Sequence, residues 1–144
     1  MRSRVSSAGT IILVVGVVVT LAGIFWLSRV TADSSYLVSV ALPMVLIGAG
    51  QGLALAPLTS FGIAGADASD AGAASGVLNT FHQIGSSLGL GILVAIGTAA
   101  ASSATAGAAA VTAEVSTALL GASAFLAIAT AVILFTIVPA TRRR

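Results

Sequence analysis

The run AGTIILVVGVVVTLAGIFWL, Ala8 to Leu27, carries no charged side chain. A helix rises about 1.5 Å per residue, so about 20 such residues cross about 30 Å of hydrocarbon. Three further runs have the same character: Tyr36 to Ile63, Ala73 to Ala100 and Ser116 to Val138. Charges fall between them, with Arg29 and Asp33 after the first run, Asp67 and Asp70 after the second, and Glu114 after the third. Pro139 and the arginines at 142–144 follow the fourth. Backbone polar groups in lipid must be bonded internally, so such runs fold as helices or closed barrels. Barrel strands would alternate in polarity over segments of about ten residues, and no such alternation is present. The expectation is an all-α polytopic membrane protein. Residues 1–144 form one transmembrane region, with spans near 8–27, 36–63, 73–100 and 116–138, and ASSATAGAAAVTAE is the loop before the last.

Composition narrows the function classes. Charged residues make up 7% of the chain, against about 25% in a soluble domain. Cysteine is absent, which excludes disulfides and thiolate metal sites. One histidine and four acids leave little material for a metal centre. No nucleophile–base pair or phosphate loop is visible, so no enzyme activity, cofactor or metal is expected. The sequence pI near 10.6 rests on arginines at the ends, without the basic stripe and interleaved aromatics of a nucleic-acid binder. The expected partner is the lipid bilayer. The first apolar run is also longer than the roughly 7–15 residues of a signal-peptide core, so it reads as a span.

Arginine placement sets the expected orientation. With four spans and both termini cytoplasmic, Arg2, Arg4, Arg142, Arg143 and Arg144 lie inside and only Arg29 lies outside. That reading places a multi-pass protein in the cell (inner) membrane. Helices in lipid associate through small residues and interhelical hydrogen bonds, because burying Leu gains nothing over lipid. Gly9, Gly16 and Gly23 recur every seven residues in the first helix. Gly48 and Gly52 are four apart in the second, and Gly85 and Gly89 in the third. These are expected close-contact seams. Pro57 lacks the donor for the Leu53 carbonyl and predicts a kink, and Pro43 acts similarly nearer the outer end. Asp70 either caps the third helix or is a solvated loop acid.

The third run, GVLNTFHQIGSSLGLGI, holds polar side chains far from any charge. Ser75, Asn79, His82 and Ser86 are spaced four, three and four apart, so they share one helix face. Gln83 sits one step round. A polar stripe against lipid is costly, so it must face other helices or a wet cavity. It serves either as interhelical hydrogen bonding or as the wall of a substrate or water pathway. Counted from Ala73, His82 lies about 14 Å along the helix. An imidazolium in hydrocarbon is costly, so His82 needs water or a neutral ring.

The segments GAGQGLALAPLTS and GAASGVLNTFHQIGSSLGLGI, with a short acidic loop between them, resemble the C-terminal region of the major facilitator superfamily. The resemblance is to its 14-spanner drug:proton antiporter branch. The pattern there is a Gly-rich helix ending in Pro, a loop, then G-x-(A/S)-S-G-x-x-N-x-x-R-Q-x-G-x-x-x-G. This chain supplies Gly72, Ser75, Gly76, Asn79, Gln83, Gly85 and Gly89, with Gln51 in the preceding Gly-rich helix. It departs at His82, where the pattern has Arg, replacing a permanent cation with a group able to titrate. The resemblance implies the last four of fourteen spans, a proton-coupled multidrug or small-molecule exporter, and a role for these polar residues along its pathway. It also implies that the chain is a C-terminal fragment, inactive without the missing N-terminal transporter half. The carboxylates that couple protons would lie in that missing part, because the four acids here fall at span ends or in loops.

Two other readings compete. A self-contained, dimeric four-helix transporter would be similar to the small multidrug resistance proteins, but those need a membrane-embedded Glu in the first helix, and this first helix has no acid. The other is a non-transporting assembly partner.

Overall fold

The computed structural model describes residues 7–31, 33–63 and 66–142. It is built of four helices: α1 (Ser7–Leu27), α2 (Leu42–Gly62), α3 (Ala71–Ser102) and α4 (Ala108–Arg142). A π-helical turn, Leu37–Ala41, leads into α2. No strand occurs among the described residues. Each helix is long and apolar enough to cross a membrane, over Ala8–Leu27, Leu37–Gly62, Ala71–Ser102 and Ala108–Thr136. The chain is thus an all-helical membrane protein, as its charge-free runs require.

The ends of the helices differ from the expectation in ways local chemistry explains. The second span begins as a π turn because Pro43, at the first turn of α2, has no N–H to continue the ordinary ladder. The Leu42 N–H bonds the Leu37 carbonyl instead. The fourth helix starts eight residues before the expected Ser116. The expected loop ASSATAGAAAVTAE shrinks to residues 103–107, since the alanines and Glu114 in AAAVTAE favour helix. Gly107 makes the sharp entry to α4 with φ +92°, a conformation strained for any other residue. The helix runs on past Pro139 to Arg142 rather than closing at the proline. Asp70 occupies the N-cap position of α3, but its carboxylate makes no capping bond, so the solvated-acid alternative describes its side chain. Arg2, Arg4, Arg143 and Arg144, on which the orientation rests, lie outside the described residues.

α1 is the hub. It packs along α2 and, by a second face, on α4, and α3 packs on α4. Neighbours in space therefore run α2–α1–α4–α3. α2 and α3 barely touch, meeting where Gly62 faces the Leu78 side chain. The buried stripe of α1 is Thr10, Leu13, Gly16, Val17, Thr20 and Gly23, a helical spacing of three and four.

Close approach is made by glycines, though not all those expected. A Cβ on Gly16 would come 2.7 Å from the Gly50 carbonyl and 2.8 Å from the Ala54 nitrogen. A Cβ on Gly50 would meet the Gly16 carbonyl and the Thr20 nitrogen at 2.6 Å each. A Cβ on Gly23 would lie 3.0 Å from the Pro43 carbonyl. The α3–α4 contact uses Gly97, whose Cβ would sit 2.9 Å from the Glu114 carbonyl, and Gly121, against Ile96 and Leu93.

Gly48, Gly52, Gly85 and Gly89 meet nothing within 4 Å. Among the described residues they make no close approach. The face of α2 that meets α1 is Pro43, Ile47, Gly50 and Ala54, spaced four, three and four. Gly48 and Gly52 are turned away from it by the helical period.

Candidate functional site

The polar residues of α3 were expected on one face, and α3 is helical without interruption across them. The structure adds what that face meets. Leu93, Ile96 and Gly97 are among the residues that contact α4. Stepping back from Gly97 by fours, threes and a seven reaches Leu93, Ser86, His82, Asn79 and Ser75. The polar stripe is therefore the continuation of the α4-facing side of α3. Ile84, Leu88 and Ile92 lie on other faces, half or more exposed.

At the stripe itself α4 no longer covers this side. Ser75, Asn79, His82, Gln83 and Ser86 are all exposed. Positions 72, 76, 85, 89 and 91, all glycine, would have open space around an added Cβ. α3 and α4 thus hold together near their short connection and leave the other end of the shared face uncovered. On α2, Gln51 is exposed, about 60° round the helix from the Ala54 that meets α1.

The hydroxyls and the larger polar groups are treated differently. Threonines and serines within these helices mostly bond back to a carbonyl of the preceding turn. Thr20 donates to Gly16 at 2.9 Å, Thr80 to Gly76 at 2.9 Å, Ser123 to Leu119 at 2.8 Å and Thr130 to Leu126 at 2.7 Å. A short side chain can satisfy itself this way in an apolar setting. The side chains of Asn79, His82, Gln83 and Gln51 make no hydrogen bond or ion pair among the described residues, nor do those of Ser75 and Ser86. An amide or imidazole facing hydrocarbon in that state costs free energy. The arrangement can offer donors and acceptors to a polar solute, to water or to another helix.

Pro57 lies inside α2, which continues to Gly62. It withholds an N–H from the Leu53 carbonyl, while the Thr59 and Ser60 hydroxyls bond the Leu55 and Ala56 carbonyls at 2.9 Å each.

Glu114 is the residue that sequence reasoning placed differently. It stands in α4, half-buried, with its Cγ 3.2 Å from where a Cβ of Gly97 would be. The signal available was the Ala-rich AAAVTAE, which favours helix and so carries Glu114 into the last span. Gly50, Gly97 and Gly121 were also missed as contact points. Glycine spacing on one helix does not tell which face the neighbour takes. No group of three or more metal-ligating side chains occurs among the described residues.

Over 86 residues, 60% of the chain, the sequence is 38% identical to the cephamycin export protein CmcT of Amycolatopsis lactamdurans. The chain spans only 18% of that relative's length. No family model matches the chain, and no solved structure matches it. The chain is similar to part of a protein named for export, and it has four helices able to lie in a membrane.

Proposed function

We propose that this chain forms the last four spans of a proton-coupled small-molecule exporter of the major facilitator type, and that it does not transport alone. The observation that carries the reading is the unpaired stripe Ser75–Asn79–His82–Ser86 on the side of α3 that faces α4 further along. Apolar surface left open is harmless in lipid, but an open amide and imidazole call for further helices or a wet pathway. The likeness to an export protein and the resemblance to the drug:proton antiporter branch support the same reading. In facilitator folds the substrate site lies near the bilayer midplane between repeats. Asn79, His82 and Gln83 then line or brace that pathway with Gln51, donating to and accepting from polar groups of the solute. Gly48, Gly52, Gly85 and Gly89 become the close-approach points for the helices that complete the transporter.

Proteoliposomes holding the purified chain alone are expected to show no proton-driven flux of drug or dye. In a complete transporter containing these residues, His82→Ala is expected to lower export more than Leu88→Ala at matched expression. Robust flux from the chain alone would remove the fragment reading. Equal, unimpaired export by both variants would reduce His82 to a packing residue. The orientation belongs to the same proposal, with both termini cytoplasmic in the cell membrane. Reporters fused after Arg144 and inserted within 103–107 should report opposite sides, and reporters on one side would overturn that topology.

A further inference from the structure

Between α1 and α4 lies an apolar groove of about 520 Å³. Leu21, Ala22 and Phe25 of α1 and Leu120, Ala124 and Ala127 of α4 line it. That volume is in the range of ligand clefts, about 300–1,000 Å³. A cation stands beside one of these lining residues. The Arg29 guanidinium lies over the ring of Phe25, 4.6 Å from its centroid.

The placement of Arg29 is built in. α1 ends at Leu27, and the Ser28 hydroxyl is turned inward to bond the Phe25 carbonyl at 2.7 Å. The Arg29 N–H bonds the Trp26 carbonyl at 3.0 Å. No carboxylate pairs with Arg29 among the described residues.

We infer that this groove holds one acyl chain of an anionic phospholipid, whose phosphate pairs with Arg29. Lipid chains alone would fill the groove without using the cation, and an apolar helix offers Arg29 no anion. A phospholipid joins an apolar chain and a negative phosphate in one molecule, and the groove and Arg29 present the complements side by side.

Trp26 is the chain's only tryptophan, it adjoins Phe25 in sequence, and it is 41% exposed. Its fluorescence therefore reports lipid at this end of α1. The purified full chain would be placed in phosphatidylcholine vesicles doped with phosphatidylglycerol brominated on its acyl chains, or with equally brominated phosphatidylcholine. One basic side chain near a membrane surface gives roughly a fivefold preference for anionic lipid. Brominated phosphatidylglycerol should therefore quench Trp26 at roughly one-fifth the mole fraction that phosphatidylcholine needs. Arg29→Gln should equalise the two lipids, and Arg29→Lys should keep most of the preference. Ala124→Phe, which fills the groove, should also reduce it. Raising salt should shrink the preference in the unmodified chain by screening, a readout that needs no variant.

Equal quenching by both lipids in the unmodified chain would overturn the proposal. So would a preference that survives Arg29→Gln or is indifferent to salt. A preference that survives Ala124→Phe would mean headgroup pairing without the groove, which overturns the site as stated. Free glycerol phosphate at millimolar concentration should leave the quenching unchanged. If it abolishes the preference, the site takes soluble phosphate and the lipid proposal fails.

Discussion

α1 and α3 are both uninterrupted helices able to cross a membrane, and both carry glycines and polar side chains at helical spacing. They use them in opposite ways. A third of the α1 span is buried (33%) against 6% of the α3 span. In α1 the small residues Gly16 and Gly23 face α2, and the Thr20 hydroxyl bonds within its own helix. In α3 most glycines look into open space, and the amides and imidazole have no partner among the described residues. Exposed leucine costs nothing in lipid, so apolar exposure alone would not separate the two helices. The polar groups do separate them, apart from the buried Thr10 hydroxyl of α1, which makes no hydrogen bond among the described residues. α1 is a finished packing element, and α3 is half of a contact whose other half is something else.

The largest expected effect tests the finished side. A Cβ on Gly50 overlaps two backbone atoms of α1, at 2.6 Å each, and the Thr20 Oγ1, so no side-chain rotation relieves it. Gly50→Ala should lower the stability of the α1–α2 pair by about 1–3 kcal/mol, the usual cost of overpacking. Gly52→Ala, two residues on, meets nothing and should leave stability within about 0.5 kcal/mol. Detergent-unfolding midpoints of the two variants measure the difference. Equal midpoints would mean that α1 and α2 do not approach as described.

The next effect lies on the α3–α4 contact. A Cβ on Gly97 would crowd the Glu114 backbone at 2.9 Å, whereas one on Gly121 would meet the Ile96 and Leu93 side-chain ends, which can turn aside. Gly97→Ala should cost about 1–2 kcal/mol, Gly121→Ala less, and Gly89→Ala about nothing. If Gly89→Ala is the most damaging of the three in the isolated chain, the contact lies further toward the polar stripe than described.

Much of this was legible beforehand. The four helices follow from charge-free runs of span length, and their internal hydrogen bonding follows from the solvent. The shared face of Ser75, Asn79, His82 and Ser86 follows from spacing alone. Which glycines make contact was not legible. GAGQG offers Gly48 and Gly52 on one face and Gly50 on the opposite one, and only the position of α1 selects Gly50. The loop before α4 is shorter than the charge at Glu114 suggests, because helix propensity carries the backbone through that residue. The uncovered polar face was beyond reach from sequence, since it depends on where α4 stops following α3.

A smaller effect concerns His82 itself. It is exposed, and unpaired among the described residues, so His82→Ala should change the isolated chain's unfolding midpoint by no more than about 0.5 kcal/mol. The same substitution should lower export in a complete transporter. A large loss of stability in the isolated chain would show that His82 is already packed there, and the contrast with α1 would weaken.

The finest test makes the same kind of substitution on both helices. Thr20→Val keeps the shape of the side chain and removes its 2.9 Å bond to the Gly16 carbonyl. That carbonyl still takes the helix's own backbone bond, so no acceptor is stranded. Hydrogen bonds of side chains in membrane proteins average about 0.6 kcal/mol, and the loss should be of that order, because Thr20 is 5% exposed and water cannot replace the bond. Asn79→Leu removes a polar group with no partner among the described residues, so it should leave the stability of the isolated chain in lipid unchanged or slightly raised, since an unpaired amide is withdrawn from hydrocarbon. The two variants should therefore shift the unfolding midpoint in opposite directions or differ by about the Thr20 term. In a complete transporter the order should reverse, with Asn79→Leu the more harmful to export. If Asn79→Leu destabilises the isolated chain as much as Thr20→Val does, then Asn79 already has its partner within these four helices, and α3 is as finished as α1.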